Sequence, residues 1–498
     1  MKRITLAFLV VLLGACSAGP RPGGVSTADH AALEAALRAH VAELADDSYA
    51  GRMPGTEGEA KTLRYLALQW QDAGLVSGTN DPANPWFAPV ELATSTPESS
   101  TAIFHSKGRR ILLGDADIHL FTSARRVLLD KAPVIFVGNR DAEPEASEVA
   151  GQVVLVPWAQ GTRREQREDL LDQGAAAVIA IVDDSAELNE LVAHRSRGTY
   201  RLVDESAASS IDGFITRSAA EGLVGAERLA EWTDAADQRP HAVPLQASLE
   251  ATSRAGTVRT HNLIARIPGS DPSLGAVLLL AHWDHFGICA PEGEADRICN
   301  GAVDNASGLA VLTELARLLA AGPVMERDVY VLATTAEEWG LLGARAFAQE
   351  PPIPLDTIFA AFNIDMMGLA KKGAPVAVIG RGMTGLDAEI DAVIAASGRH
   401  EGDREMAARF VRRQDGWALL QRDVPTLSIS ATFAEREPLQ RFLDGNYHRP
   451  GDELDGVELG GAVDDLLLHL ALVRHFANPQ LWPHDRPPGP ESILPGGR

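Results

Sequence analysis

Basic residues are in short supply in this chain. Its 45 Lys and Arg stand against 68 Asp and Glu, a formal net charge of −23 over 498 residues. That balance makes the chain a poor candidate for a nucleic-acid binder, since it offers no excess of Lys and Arg to neutralise phosphate, and no nucleic-acid partner is expected. Long apolar runs are lacking too. The stretch from Ile4 to Leu13 has ten residues, short of the roughly 17–25 a spanning helix needs. No longer run follows it, which excludes a helical channel or transporter. Cysteine is nearly absent, with only Cys16, Cys289 and Cys299. What remains is ordinary for a folded protein: 45% of residues are hydrophobic. The length exceeds one hydrophobic core and predicts two or three domains.

The first residues read MKRITLAFLVVLLGAC. Lys2 and Arg3 precede the apolar stretch, as in an export signal. Leu13-Gly14-Ala15-Cys16 then resembles the lipobox of bacterial lipoproteins. The resemblance implies a signal peptide over 1–15 and a lipidated Cys16. It implies an exported protein, anchored by that lipid alone to the outer membrane and facing the periplasm. The plainer reading is a secretory signal with an unmodified cysteine. Cys289 and Cys299 are an even pair closing a short loop, which in an exported protein suggests a disulfide. Cys-x9-Cys without a second pair is not a usual zinc-site spacing.

Residues 16–28 are Gly/Pro-rich and read as a flexible tether. Residues 29–108 carry two helical patterns, 29–46 and one ending near Gly74, then polar sequence with a strand around Phe87 to Leu92. From 109 to 244 short apolar runs (APVIFVG, GQVVLVPW, AAAVIAIV) alternate with a helix. This segment resembles the protease-associated (PA) domain, a small module inserted into extracellular peptidases; the plainer reading is a small α/β insertion. Residues 245–478 alternate strands and helices again, predicting an α/β sheet with helices on both faces. Residues 479–498 form a Pro-rich tail.

Polar residues with ligand chemistry recur where the apolar runs of 245–478 end. GAVLLLAHWD ends on His282 and Asp284. GAVDNASG carries Asp304, VYVLATTAEE ends on Glu337 and Glu338, NIDMMG carries Asp365, and YHRPGD carries His448. In open α/β sheets, sites assemble at the C-terminal ends of strands.

This set resembles the M28 family of zinc aminopeptidases in order and spacing, over 29–108 and 245–477. The resemblance implies a mixed β-sheet flanked by helices, the zinc-dependent exopeptidase fold, with the PA-like domain inserted. It implies two Zn2+ ions: Asp304 as the bridge, one ion completed by His282 and Asp365, the other by Glu338 and His448. Two histidines with three carboxylates suit zinc better than magnesium. Glu337 would be the general base, taking a proton from a zinc-bound water. Asp284 would accept a hydrogen bond from His282 and Asp452 one from His448, fixing each tautomer. Tyr447 would lie near the bound peptide. His285 would pack or hydrogen-bond instead of ligating zinc. The family's Asp-His pair is matched loosely by Asp415, with Gly416 in the histidine's place. Arg52 reads as an ion-pairing or a surface arginine.

The implied function is a di-zinc metallo-aminopeptidase acting on peptide N-termini. A carboxypeptidase or dipeptidase of the same fold is the first rival, since pocket walls are not read from ligand spacing. A non-catalytic peptidase-like binding protein is the second. It predicts a lost ligand or base, and none is lost.

Overall fold

The strand signals of the second half become a set of parallel strands whose ends coincide. The structure is a computed structural model describing residues 27–138, 144–158, 164–207, 209–234 and 239–483. The expected signal peptide, Cys16 and most of the tether lie outside the described residues, as does the tail from 484. Strand Ala276–His282 runs parallel to Asp328–Thr334 on one side and to Ile358–Asn363 on the other. Ile358–Asn363 is in turn parallel to Thr426–Ser430. Register places His282 opposite Thr334 and Leu280 opposite Asn363, so the residues that follow all three strands emerge on one edge.

Every residue of the first two strands is buried, as expected for parallel strands covered on both faces. Val277, Leu279 and Ala281 join the cluster formed with helices Thr27–Leu44, Gly308–Ala320 and Gly460–Phe476. Their alternates Ala276, Leu278 and Leu280 face a second cluster containing Phe347 and Leu419. The period of two thus feeds both cores.

Residues 109–244 add parallel strands Arg126–Phe136, Val153–Pro157, Ala177–Val182 and Ile211–Thr216. They bury apolar clusters of their own on both faces. The expected boundary at 244 falls inside a single strand, His241–Ile267. Its first half pairs with Arg126–Phe136 and its last residues pair with Asp328–Thr334. The sheet is therefore continuous through both parts, with fifteen strands among the described residues.

The strand expected around residues 87–92 is much longer, Phe87–Ser106. It pairs antiparallel with His241–Ile267 from Phe87 opposite Leu263 to His105 opposite Gln246. Its Ser- and Thr-rich sequence shows little apolar alternation; the backbone ladder supplies what the side-chain pattern does not. Among the described residues no helix is long and apolar enough to cross a membrane.

Candidate metal centre

Three of the expected ligands stand at or just past the ends of the parallel strands, and Asp304 and His448 come from loops. His282 is the last residue of its strand. Its Nε2 lies 3.2 Å from Asp304 Oδ1 and 3.5 Å from Asp365 Oδ1. His448 Nε2 lies 3.3 Å from Asp304 Oδ2 and 3.1 Å from Glu338 Oε2. The two oxygens of Asp304 thus face different histidines. His282, Asp304 and Asp365 form one group with potential ligand atoms within 4.8 Å of one another. His285, Asp304 and Glu338 form another.

His285 therefore stands closer to the cluster than mere packing would place it. Its Nδ1 meets Glu338 Oε1 at 2.6 Å, whereas His448 faces the other oxygen and also Asp304. His448 and His285 thus hold the two oxygens of Glu338, one each.

The Asp304 loop is built for close approach. Asn305 Oδ1 accepts from the Gly308 and Met366 amides, and Asn305 Nδ2 donates to the Ile364 carbonyl. Ser307 Oγ donates to the Val303 carbonyl and accepts from the Met367 amide. The loops of Asp304 and Asp365 are thereby tied together. A Cβ at Gly308 would lie 2.0 Å from Asn305 Oδ1 and 2.5 Å from the Ile364 carbonyl oxygen. Only glycine leaves that room.

Two expected supporting contacts fall differently. Asp284 does not receive the His282 ring proton on its carboxylate: Nδ1 is 3.9 Å from Oδ1 but 3.2 Å from the Asp284 backbone oxygen. Two residues past His282, the main chain folds back within reach of the ring. The freed carboxylate accepts from the Glu337 amide at 3.0 Å and the Glu338 amide at 3.4 Å. Asp452 likewise turns away from His448. Its carboxylate accepts from the Val303 and Asp304 amides at 2.8 and 3.0 Å. Both carboxylates position backbone, and burial pushes both up to about 7.

Arg52 is not at the surface. It is fully buried and donates to the carbonyls of Leu44, Trp283, Asn300 and Gly301. Burial lowers its guanidinium to about 10, against the pull of Asp452, Asp284, Asp304 and Glu338. It remains a cation at neutral pH behind the carboxylates. Flanked by Gly51 and Met53 in a turn, it carried no local signal of burial beyond the Gly/Pro loop around it.

Glu337 and Glu338 open a single 3₁₀ turn and diverge. Glu338 faces the two histidines; Glu337 lines a cavity of about 20 Å³ with His282, Asp304 and Asp365. Met366, Phe410, Phe433, Arg413 and Tyr447 complete its wall. Phe410 sits in an irregular stretch with no motif to announce it. Tyr447 stacks on His448 with ring centroids 3.6 Å apart. The larger groove of about 670 Å³ is lined by Glu59, Leu63, Phe87 and Arg259 and none of these ligands. Cavity size alone points away from the chemistry.

The electrostatics agree with a cation site. Burial raises the Glu337 carboxyl well above its usual range, helped by the charges of Glu338, Asp415 and Asp365 and opposed by His282. Burial also raises Glu338, but His448 and His285 outweigh it and hold that carboxyl at about 2. Among the described residues, Asp365 Oδ1 and His448 Nε2 are buried without a hydrogen-bond partner. Asp304, Glu337, Glu338 and Asp365 crowd one buried site, and one or more divalent ions would offset their mutual repulsion. The donor set of imidazole and carboxylate suits zinc.

Residues 262–469 match Peptidase family M28. That segment, less than half of the chain, carries all five expected ligands. A probable lipoprotein aminopeptidase of Mycobacterium tuberculosis, LpqL, is 24% identical over 85% of this chain and 81% of its own length. A vacuolar membrane protease of Candida dubliniensis is 37% identical over 18% of this chain, but that match spans only 9% of the relative. The solved aminopeptidase from Aneurinibacillus sp. strain AM-1 superposes with a TM-score of 0.55, covering 93% of this chain and 96% of that one at 18% identity. It shares the mixed α/β architecture. The M28 match and the ligand cluster together support a metalloexopeptidase.

Cys289 and Cys299 are joined as a disulfide, with Cα atoms 5.6 Å apart. Cys299 Sγ lies 3.4 Å from the His448 carbonyl oxygen. Replacing both cysteines by serine is expected to cost about 3 kcal/mol from the loop closed. Urea denaturation of the zinc-free protein measures it; a loss under about 1 kcal/mol, the size of an average substitution, would count against a stabilising staple.

Proposed function

We propose that this protein is a di-zinc aminopeptidase, exported and held by a lipid on Cys16 at the outer membrane, facing the periplasm. The observation that carries the two-ion reading is Asp304, whose oxygens lie 3.2 and 3.3 Å from His282 and His448. A bridging carboxylate needs that placement. His282 and Asp365 would hold one ion, Glu338 and His448 the other. Bound zinc would polarise the scissile carbonyl and make the attacking water more acidic.

The chain's own groups do the rest. Glu337, held by the Asp284 carboxylate on its amide, takes the proton of the attacking water and hands it to the leaving amine. A free α-ammonium is drawn to the carboxylate-rich cavity. Met366, Phe410 and Phe433 line the same cavity and would flank the first residue of the peptide. Tyr447 hydrogen-bonds the carbonyl oxygen as negative charge develops on it. Retention of the base and every ligand weighs against a non-catalytic binding role. The unit at 109–244, which resembles a PA domain, narrows access to short or unfolded peptides.

One panel tests these readings on zinc-loaded protein: aminoacyl arylamides, acetyl-blocked peptides, dipeptides and long folded substrates. Release of N-terminal residues from free-amine substrates is expected, with short peptides cut faster than folded chains and activity lost on chelation. Cleavage of blocked peptides from their C-termini instead would establish the carboxypeptidase. Activity on dipeptides alone would establish the dipeptidase. Equal rates on short and folded substrates would sink the access restriction.

A further inference from the structure

The 109–244 unit touches residues that back the ligand cluster. The ring contacts come from the end of helix Ser185–Arg195 and the start of strand Thr199–Leu202, flanked by ion pairs of Glu190 with Arg449 and Glu205 with Arg345. The Tyr200 ring meets Trp339 edge-on, 4.9 Å between centroids at 82°. Trp339 follows Glu338 directly in the chain. Its indole packs on Phe286 at 5.3 Å, and Phe286 lies 4.5 Å from the His448 ring. Phe286 in turn follows His285, the residue that grips Glu338. Arg197 approaches from the same side. Its guanidinium lies over Phe286 at 5.7 Å and donates to the Cys289 carbonyl at 2.7 Å. Phe286 forms a small apolar cluster with Cys289 and Cys299, with Trp339 packed against it, apart from the main cores.

His448 needs such support. It sits in a loop at φ 59°, a conformation unusual for a residue with a side chain, and its ring is 26% exposed. Its ring neighbours are His285, Phe286 and Tyr447. Arg197 is a half-buried cation with no ion pair among the described residues. Its cation–π and carbonyl contacts both go to the segment that backs His448.

We propose that Tyr200 and Arg197 are positioning residues for the Glu338–His448 half of the metal centre, acting through Trp339 and Phe286. The unit at 109–244 would then be part of the metal site's scaffold, not only a cover. This rests on the two-zinc reading. Groups that orient ligands from behind typically govern metal affinity by about 10–100-fold.

The test uses the full chain, stripped of metal and titrated with Zn2+ against a chelating indicator. Wild-type protein is expected to take up two ions. Tyr200→Ala and Arg197→Met are each expected to weaken one ion by about 10–100-fold, leaving the other unchanged, and to lower kcat more than they raise KM. Tyr200→Phe, which keeps the ring, is expected to restore both ions. Thermal melts of the zinc-free variants separate positioning from folding. If Tyr200→Ala fails to fold, Arg197→Met decides, since it keeps an unbranched apolar stem over Phe286. Unchanged affinity for both ions overturns the proposal, as does equal weakening of both. A wild-type protein that binds fewer than two ions overturns the two-zinc reading and takes this proposal with it.

Discussion

Glu337→Gln is expected to lower kcat by about 10²–10⁴-fold, the range for removing a positioned general base. The amide keeps the shape of the side chain and loses only the capacity to accept the proton. KM is expected to change little, because the first-residue wall and the ligands are untouched. Zinc content is expected to stay at that of the wild type. The structure gives a reason to separate the two adjacent glutamates. Glu338 is committed to His285 and His448, while Glu337 lines the cavity with His282, Asp304 and Asp365. Steady-state kinetics beside metal analysis of the purified variant checks the assignment. Turnover within tenfold of wild type, with zinc bound, would remove Glu337 from the role of base.

The second large effect is expected at a residue that touches no substrate. Arg52→Met is expected to cost about 3–5 kcal/mol of stability, the range for deleting one partner of a buried charged network. Arg52 satisfies four carbonyls at once. Three of them belong to Trp283, Asn300 and Gly301, on the loops beside His282 and Asp304. Methionine fills similar space and leaves those carbonyls unpaired in a dry interior. It also deletes the cation behind four carboxylates. Arg52→Lys keeps the charge but not the fork of donors, so it is expected to recover only part of the loss. Urea denaturation of the zinc-free proteins reads the stability and zinc titration reads the site. A loss below about 1 kcal/mol, the size of an average substitution, would show that water or neighbouring amides take over those carbonyls.

Three of the expected ligands were legible because each follows an apolar run, whereas Asp304 and His448 lie in loops that only the family pattern singles out. A buried parallel strand is hydrophobic throughout, so His282, Glu338 and Asp365 stand out at its exit. The supporting contacts were not legible. Spacing suggested that Asp284 and Asp452 each serve the nearby histidine. Which acceptor a buried amide finds depends on how separate loops meet, and both carboxylates went to backbone. Arg52 was hidden for the same reason: three of its four partners, Trp283, Asn300 and Gly301, are more than 200 residues away in sequence. Strand Phe87–Ser106 was hidden by composition, since its Ser, Thr, Pro and Glu residues mask any period of two.

That strand has a consequence for how the chain is made. It is complete early in synthesis, yet the strand that pairs with it along most of its length, His241–Ile267, ends more than 150 residues later. Helix Thr27–Leu44 waits longer still, because Leu37 and Val41 share a cluster with Leu312 and Leu315. A chain stopped before residue 267 carries a 20-residue strand without the full length of its main neighbour. Unpaired edges of that kind are templates for misassembly. The N-terminal quarter of this protein therefore completes its main strand pairing only after the chain has reached residue 267.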